Sequence, residues 1–67
     1  MSNEELKMEI QRATWKVTKA ELIRLFWAAG RIPERTAEKW VNGLNLPRNE
    51  DRRNLIKNVV AQVTTAR

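Results

Sequence analysis

Cysteine, histidine and tyrosine are all missing from this chain of 67 residues, and glycine and proline occur only twice each. Without cysteine there is no disulfide framework and no thiolate metal site, and without histidine the usual zinc spacings are absent. The same two absences remove the commonest general base and the commonest activated nucleophile. Only Ser2, threonines, lysines and carboxylates remain for any chemistry. Gly30 and Gly43 fall in no phosphate-cradling or dinucleotide-binding spacing. An enzyme is therefore not expected, nor a metal, a cofactor or a small-molecule substrate. The longest purely apolar run, Leu25-Phe26-Trp27-Ala28-Ala29, is far below membrane-spanning length. The acidic start, Met1-Ser2-Asn3-Glu4-Glu5, lacks the layout of a signal peptide, so a cytoplasmic protein with no membrane partner is expected.

What is present is a single domain over residues 1–67, with a core thin enough that packing, or a second subunit, must supply its stability. Thirteen basic and eight acidic side chains leave a net charge of +5. Residues 1–12 carry two basic and three acidic groups, residues 13–48 seven and three, and residues 49–67 four and two. The positive field thus lies on the middle and C-terminal parts, as suits a partner made of phosphates.

Hydrophobic spacing predicts an all-α domain of three to four helices, at about 3–12, 19–29, 33–43 and 49–63. Leu6 and Ile10 form the seam of the first. Ala13-Thr14-Trp15-Lys16-Val17 alternates apolar and polar positions and reads as an extended connector or short strand. Thr18-Lys19-Ala20-Glu21 has the form of a capping box, with Thr18 accepting from the Glu21 amide and the Glu21 carboxylate accepting from the Thr18 amide. Gly30 is the expected left-handed terminator after Ala29.

Leu22, Leu25, Phe26 and Ala29 share one face of the second helix, and Ile23 and Trp27 widen it beyond what a surface helix needs. Two readings stay open for that pair: the first helix or the Trp15 connector covers it, or it contacts a partner such as a second copy. Pro33 fits the first position of the third helix, whose inward set is Ala37, Trp40, Val41 and Leu44. Arg35, Lys39 and Asn42 then point outward, with Glu34 and Glu38 along one edge and Thr36 along the other. Asn49-Glu50-Asp51 supplies a cap and first-turn acids for the last helix, whose apolar set is Leu55, Ile56, Val59, Val60 and Val63. Beyond Val63, β-branched residues predict fraying.

Residues 18–44 therefore read as helix, glycine-containing turn, second helix, with long polar groups projecting from the second. A major groove admits such a helix, and a supporting helix sets its angle. The segment Ile32-Pro33-Glu34-Arg35-Thr36-Ala37-Glu38-Lys39-Trp40-Val41 resembles the recognition helix of helix-turn-helix regulators and phage excisionases. Val17-Thr18 with Glu21 is similar to the start of excisionase and mercury-resistance-regulator domains. The resemblance covers about 27 of the 67 residues. It departs from the family in two respects. Leu46-Pro47-Arg48 leads into another helix rather than a β-hairpin wing, and the turn at Gly30-Arg31-Ile32 is one residue longer than the tightest spacing.

The resemblance implies a non-enzymatic DNA-binding regulator or accessory factor of a phage, plasmid or other mobile element. Its partner would be double-stranded DNA, and as a homodimer each subunit would read one half-site. Arg35 would pair with guanine, Asn42 with adenine, Lys39 with a base or phosphate, and Glu38 would accept from cytosine or bond a neighbouring arginine. Lys16, Thr18, Lys19, Arg31, Thr36, Arg48, Arg52 and Arg53 would hold the DNA backbone. The alternative is a protein-interaction module, an inhibitor or adaptor, using Ile23 and Trp27. RNA binding through the same basic surface is a third reading.

Overall fold

The computed structural model describes Ser2 to Thr65. Four helices account for the regular structure: α1 (Asn3–Thr14), α2 (Lys19–Gly30), α3 (Glu34–Val41) and α4 (Glu50–Thr65). The expected all-α class is what the chain adopts, with no strand among the described residues.

Side-chain caps set several of the boundaries. Ser2 Oγ accepts from the Glu5 amide at 3.2 Å and starts α1, with Glu4 and Glu5 against the positive end of the helix. Thr18 Oγ1 accepts from the Glu21 amide at 3.1 Å and starts α2. Only that half of the expected capping box forms, since the Glu21 carboxylate makes no hydrogen bond to the Thr18 amide. Asn49 Oδ1 accepts from the Asp51 amide at 2.8 Å and from the Arg52 amide at 3.3 Å, which starts α4.

The extended connector expected at 13–17 is instead the end of α1 and a tight turn. Ala13 belongs to the buried seam Leu6, Ile10, Ala13, and Val17 packs against the same core. Burying Ala13 beside Leu6 and Ile10 carries α1 through Thr14 despite that residue's weak helix propensity, and Val17 reaches the core from the turn that follows. The amides of Lys16 and Val17 both donate to the Ala13 carbonyl, at 3.0 and 3.1 Å. At the far end, α4 continues two residues past Val63. The hydroxyls of Thr64 and Thr65 bond back to the carbonyls of Val60 and Ala61 at 2.9 and 2.6 Å. The rest of the fraying expected beyond Val63, at 66–67, lies outside the described residues.

The connection between α2 and α3 differs from expectation by one residue. Gly30 is the last residue of α2, and Arg31 takes the left-handed conformation, with φ 57° and ψ 36°. Its amide donates to the Trp27 carbonyl at 2.8 Å. The glycine serves a different purpose, because a Cβ at position 30 would lie 2.6 Å from Leu55 Cδ2, so α4 packs closely over this end of α2. Ending α2 one residue later also carries Ile32 into the core. Pro33 precedes α3 rather than opening it, with an extended ψ of 147° and its carbonyl accepting from the Ala37 amide at 2.9 Å.

Two inward assignments are corrected by burial. Ala29 is exposed on α2, and Leu44 is 58% exposed rather than part of the α3 core face. For Leu44 the reason is local: α3 stops at Val41, and Gly43 adopts φ 77° and turns the chain away. There the Gly43 amide donates to Trp40 at 2.9 Å and the Leu44 amide to Lys39 at 2.7 Å, the paired bonds of a Schellman motif.

One apolar cluster holds the helices together, and no polar or charged residue is buried in it among the described residues. Leu6, Ile10 and Ala13 come from α1, Leu22 and Phe26 from α2, and Ala37, Trp40 and Val41 from α3. Ile56, Val59, Val60 and Val63 come from α4. The Trp40 ring meets the Phe26 ring edge-on, with centroids 5.5 Å apart and planes at 89°, and this contact fixes α3 against α2. None of the described helices is long and apolar enough to cross a membrane.

Candidate nucleic-acid interface

Burying Ala37, Trp40 and Val41 turns the opposite face of α3 to solvent. Arg35, Glu38 and Lys39 are exposed on that face, while Thr36 is half-buried at its edge. Neither Arg35 nor Lys39 has a carboxylate within 4.0 Å among the described residues, where Arg12 with Glu9, at 3.8 Å, forms the one ion pair. Glu34 and Glu38 thus share the helix with the two cations without neutralising them by contact.

Asn42, just past the end of α3, is exposed and joined to the start of α2. Lys19 Nζ donates to Asn42 Oδ1 at 2.7 Å. The bond ties together residues 23 apart in sequence and brings an expected backbone contact against an expected base reader. The Asn42 oxygen has two lone pairs, so it can keep the Lys19 bond and still accept from an adenine amino group while its amide nitrogen donates.

The remaining expected backbone contacts lie outside α3. Thr18 caps α2, Lys16 is exposed in the preceding turn, and Arg48 and Arg52 are exposed before and within the start of α4. Arg31 sits at the α2–α3 turn with its guanidinium 5.5 Å from the centre of the Trp27 ring. That contact between the left-handed residue and the side chain four positions earlier stiffens the turn while leaving Arg31 exposed. Arg53 is drawn the other way. Its Nη2 donates to Asn3 Oδ1 at 2.6 Å, its Nε is buried without a partner, and the side chain is committed to joining α4 to α1.

The Ile23 and Trp27 pair is only partly covered. Ile23 is half-buried against the core, but Trp27 remains 51% exposed, and neither α1 nor the turn after it closes over its ring. Trp15, expected as a possible cover, is itself 76% exposed. Ile23 and Trp27 line a shallow cleft of about 580 Å³ with Ala20, Arg24, Ile32 and Glu34.

Tertiary packing also brings forward residues that carried no expected role. Lys7 lies on α1, in the segment whose linear charge is net negative, yet its side-chain carbons come within 3.5 to 3.7 Å of where a Cβ on Gly43 would stand. Lys7, Gln11 and Thr14 share one face of α1 and line a cleft with Trp15, Lys19 and Asn42. The signal was present in their spacing of four and three residues, but only the packing of α1 beside the end of α3 gives it meaning. Compared with family models, curated proteins and solved structures, the chain matches none.

Proposed function

We propose that this is a non-enzymatic DNA-binding protein in which α3, supported by α2 as a helix-turn-helix, enters the major groove. The observation that carries the reading is the outer face of α3, where Arg35 and Lys39 stand exposed without contact ion pairs. Arg35 is the base reader for guanine, Lys39 takes a base or phosphate, and Asn42 reads adenine. Lys16, Lys19, Arg31, Arg48 and Arg52 hold the backbone, and Thr18 and Thr36 add hydroxyl contacts. Glu38 accepts from cytosine. By resemblance, the role is that of a regulator or accessory factor of a mobile element.

A salt titration on mixed duplex DNA tests this. Five backbone cations give a slope of log affinity against log salt of about −4.5. Arg35→Ala relaxes base preference by about 1–3 kcal/mol at one position, whereas Arg52→Ala weakens all sequences alike. Absence of binding even at low salt refutes the reading.

A second reading has its own observation, the half-exposed Trp27 ring in its cleft. It makes the protein an interaction module, and the same face would join two copies if the DNA-bound form is a dimer. Trp27→Ala then removes a partner contact, or dissociates a dimer in sedimentation, and leaves DNA affinity per subunit intact.

A further inference from the structure

Two adjoining clefts beside the end of α3 contain no acidic side chain, in a protein with eight of them. The first, of about 480 Å³, is lined by Trp15, Lys19, Gln11 and Asn42 among others, and the second, of about 400 Å³, by Asn3, Asn45 and Arg48. Lys7 and Gly43 belong to both, so the clefts form one track running from the α1–α2 turn to the loop before α4. Where the two clefts meet, Gly43 turns the chain at φ 77° and the Lys7 stem lies over it, with carbons 3.5 to 3.7 Å from where a Cβ would stand, an ordinary packing distance.

The track combines three kinds of group. Lys19, Lys7 and Arg48 have no carboxylate within 4.0 Å among the described residues and supply a line of positive charge. Amides from Gln11 and the asparagines offer both donors and acceptors. Trp15 presents an indole that is 76% exposed, more than any other large apolar side chain described. A buried structural role does not account for a ring so open to water. A charged groove that follows a sugar-phosphate backbone, with an aromatic face on which a base stacks, is the chemistry of single-stranded nucleic-acid binding.

We infer that this track takes a single-stranded DNA segment continuing from the duplex on α3, with a base stacked on Trp15, an assignment that rests on the DNA reading of α3. Lys19 and Asn42 lie in the track and also at the end of α3, so duplex and single strand meet there. The protein is then a binder of junctions between duplex and single strand rather than of duplex alone.

The test compares a blunt duplex with the same duplex carrying an overhang of about ten nucleotides, within the range that one single-strand-binding site covers. Binding is read by fluorescence anisotropy of the labelled DNA. The wild type should bind the overhang substrate at least about fivefold more tightly, and Trp15→Ala should abolish that preference while leaving blunt-duplex affinity unchanged. Trp15→Phe should keep most of the preference. Because Trp15 is exposed, thermal unfolding of the variant should match the wild type and exclude a folding defect. Lys7→Gln, at a cation given no part in duplex binding, should flatten the salt dependence on the overhang substrate by about 0.7 in slope. Equal affinity of the wild type for both substrates, or a preference that survives Trp15→Ala, overturns the inference and leaves the α3 reading standing. Binding to the free single strand but not to blunt duplex supports the track and removes α3 from the groove.

Discussion

Replacing Arg31 by glycine should cost less stability than replacing it by alanine. Arg31 occupies the left-handed region at φ 57°, and its guanidinium sits 5.5 Å from the Trp27 ring centre. Both substitutions remove that cation–π contact, worth about 0.5–1 kcal/mol at an exposed site. Alanine keeps the left-handed strain. Glycine releases it, a gain of about 1–2 kcal/mol. The glycine variant also has a freer unfolded chain, which offsets about 0.4–1 kcal/mol of that gain. Arg31→Gly should therefore be about 0.5–1 kcal/mol more stable than Arg31→Ala, and close to the wild type. In a domain of this size the gap corresponds to about 2–8 °C in Tm. Far-UV circular dichroism during thermal and urea unfolding measures it without relying on the fluorescence of Trp27, whose surroundings change. Ala29, exposed near the end of α2, is the control, where glycine should destabilise by about 1 kcal/mol. If Arg31→Gly proves less stable than Arg31→Ala, the α2–α3 turn does not end in a left-handed residue, and the placement of α3 built on it fails. On duplex DNA, both variants should lower the salt slope by about 0.9 if Arg31 holds a phosphate.

Removing the Asn49 side chain with Asn49→Ala should cost about 1 kcal/mol, because two amides of α4 lose their acceptor, and urea unfolding would show it as a lower midpoint with an unchanged slope. Trp40→Ala should lose about 3–5 kcal/mol, comparable with the whole stability of a core this small, and so abolish cooperative unfolding. Trp27→Ala, at a half-exposed ring, should leave the transition cooperative; equal damage from both would contradict the assignment of Trp40 to the core and Trp27 to the surface.

Much of the fold was legible because it depends on local chemistry. Ser, Thr and Asn ahead of acidic residues mark helix starts wherever the chain is solvated, and Thr18 and Asn49 do so here. The inward face of α3 followed from spacing alone, since Ala37, Trp40 and Val41 fall on one side of any helix through them. Readings failed where a local preference competed with burial. Thr14 and Trp15 suggested an extended chain, but Ala13 continues the stripe begun by Leu6 and Ile10, and packing it carries the helix to Thr14, with Val17 reaching the core from the turn. Gly30 resembled a left-handed terminator, and no local rule shows that Leu55, 25 residues later, needs the space its missing side chain leaves.

For the candidate interface the division is similar. Arg35 and Lys39 were identified as outward-facing from the helical period, because orientation around a helix axis is a local property. The joining of Lys19 to Asn42, and the alignment of Lys7 and Arg48 with Trp15, depend on how separate helices come to rest against each other. Lys7 illustrates this best, since it lies in a stretch of net negative charge and gains an acid-free setting only when α1 packs beside the end of α3. The sequence by itself determined an all-α chain with neither cysteine nor histidine, a positive middle, and the outward cations of α3, all set by composition and period. Which helix ends meet, which rings stay open to water and where like charges gather were decided only by tertiary packing, because they depend on contacts between residues far apart in the chain.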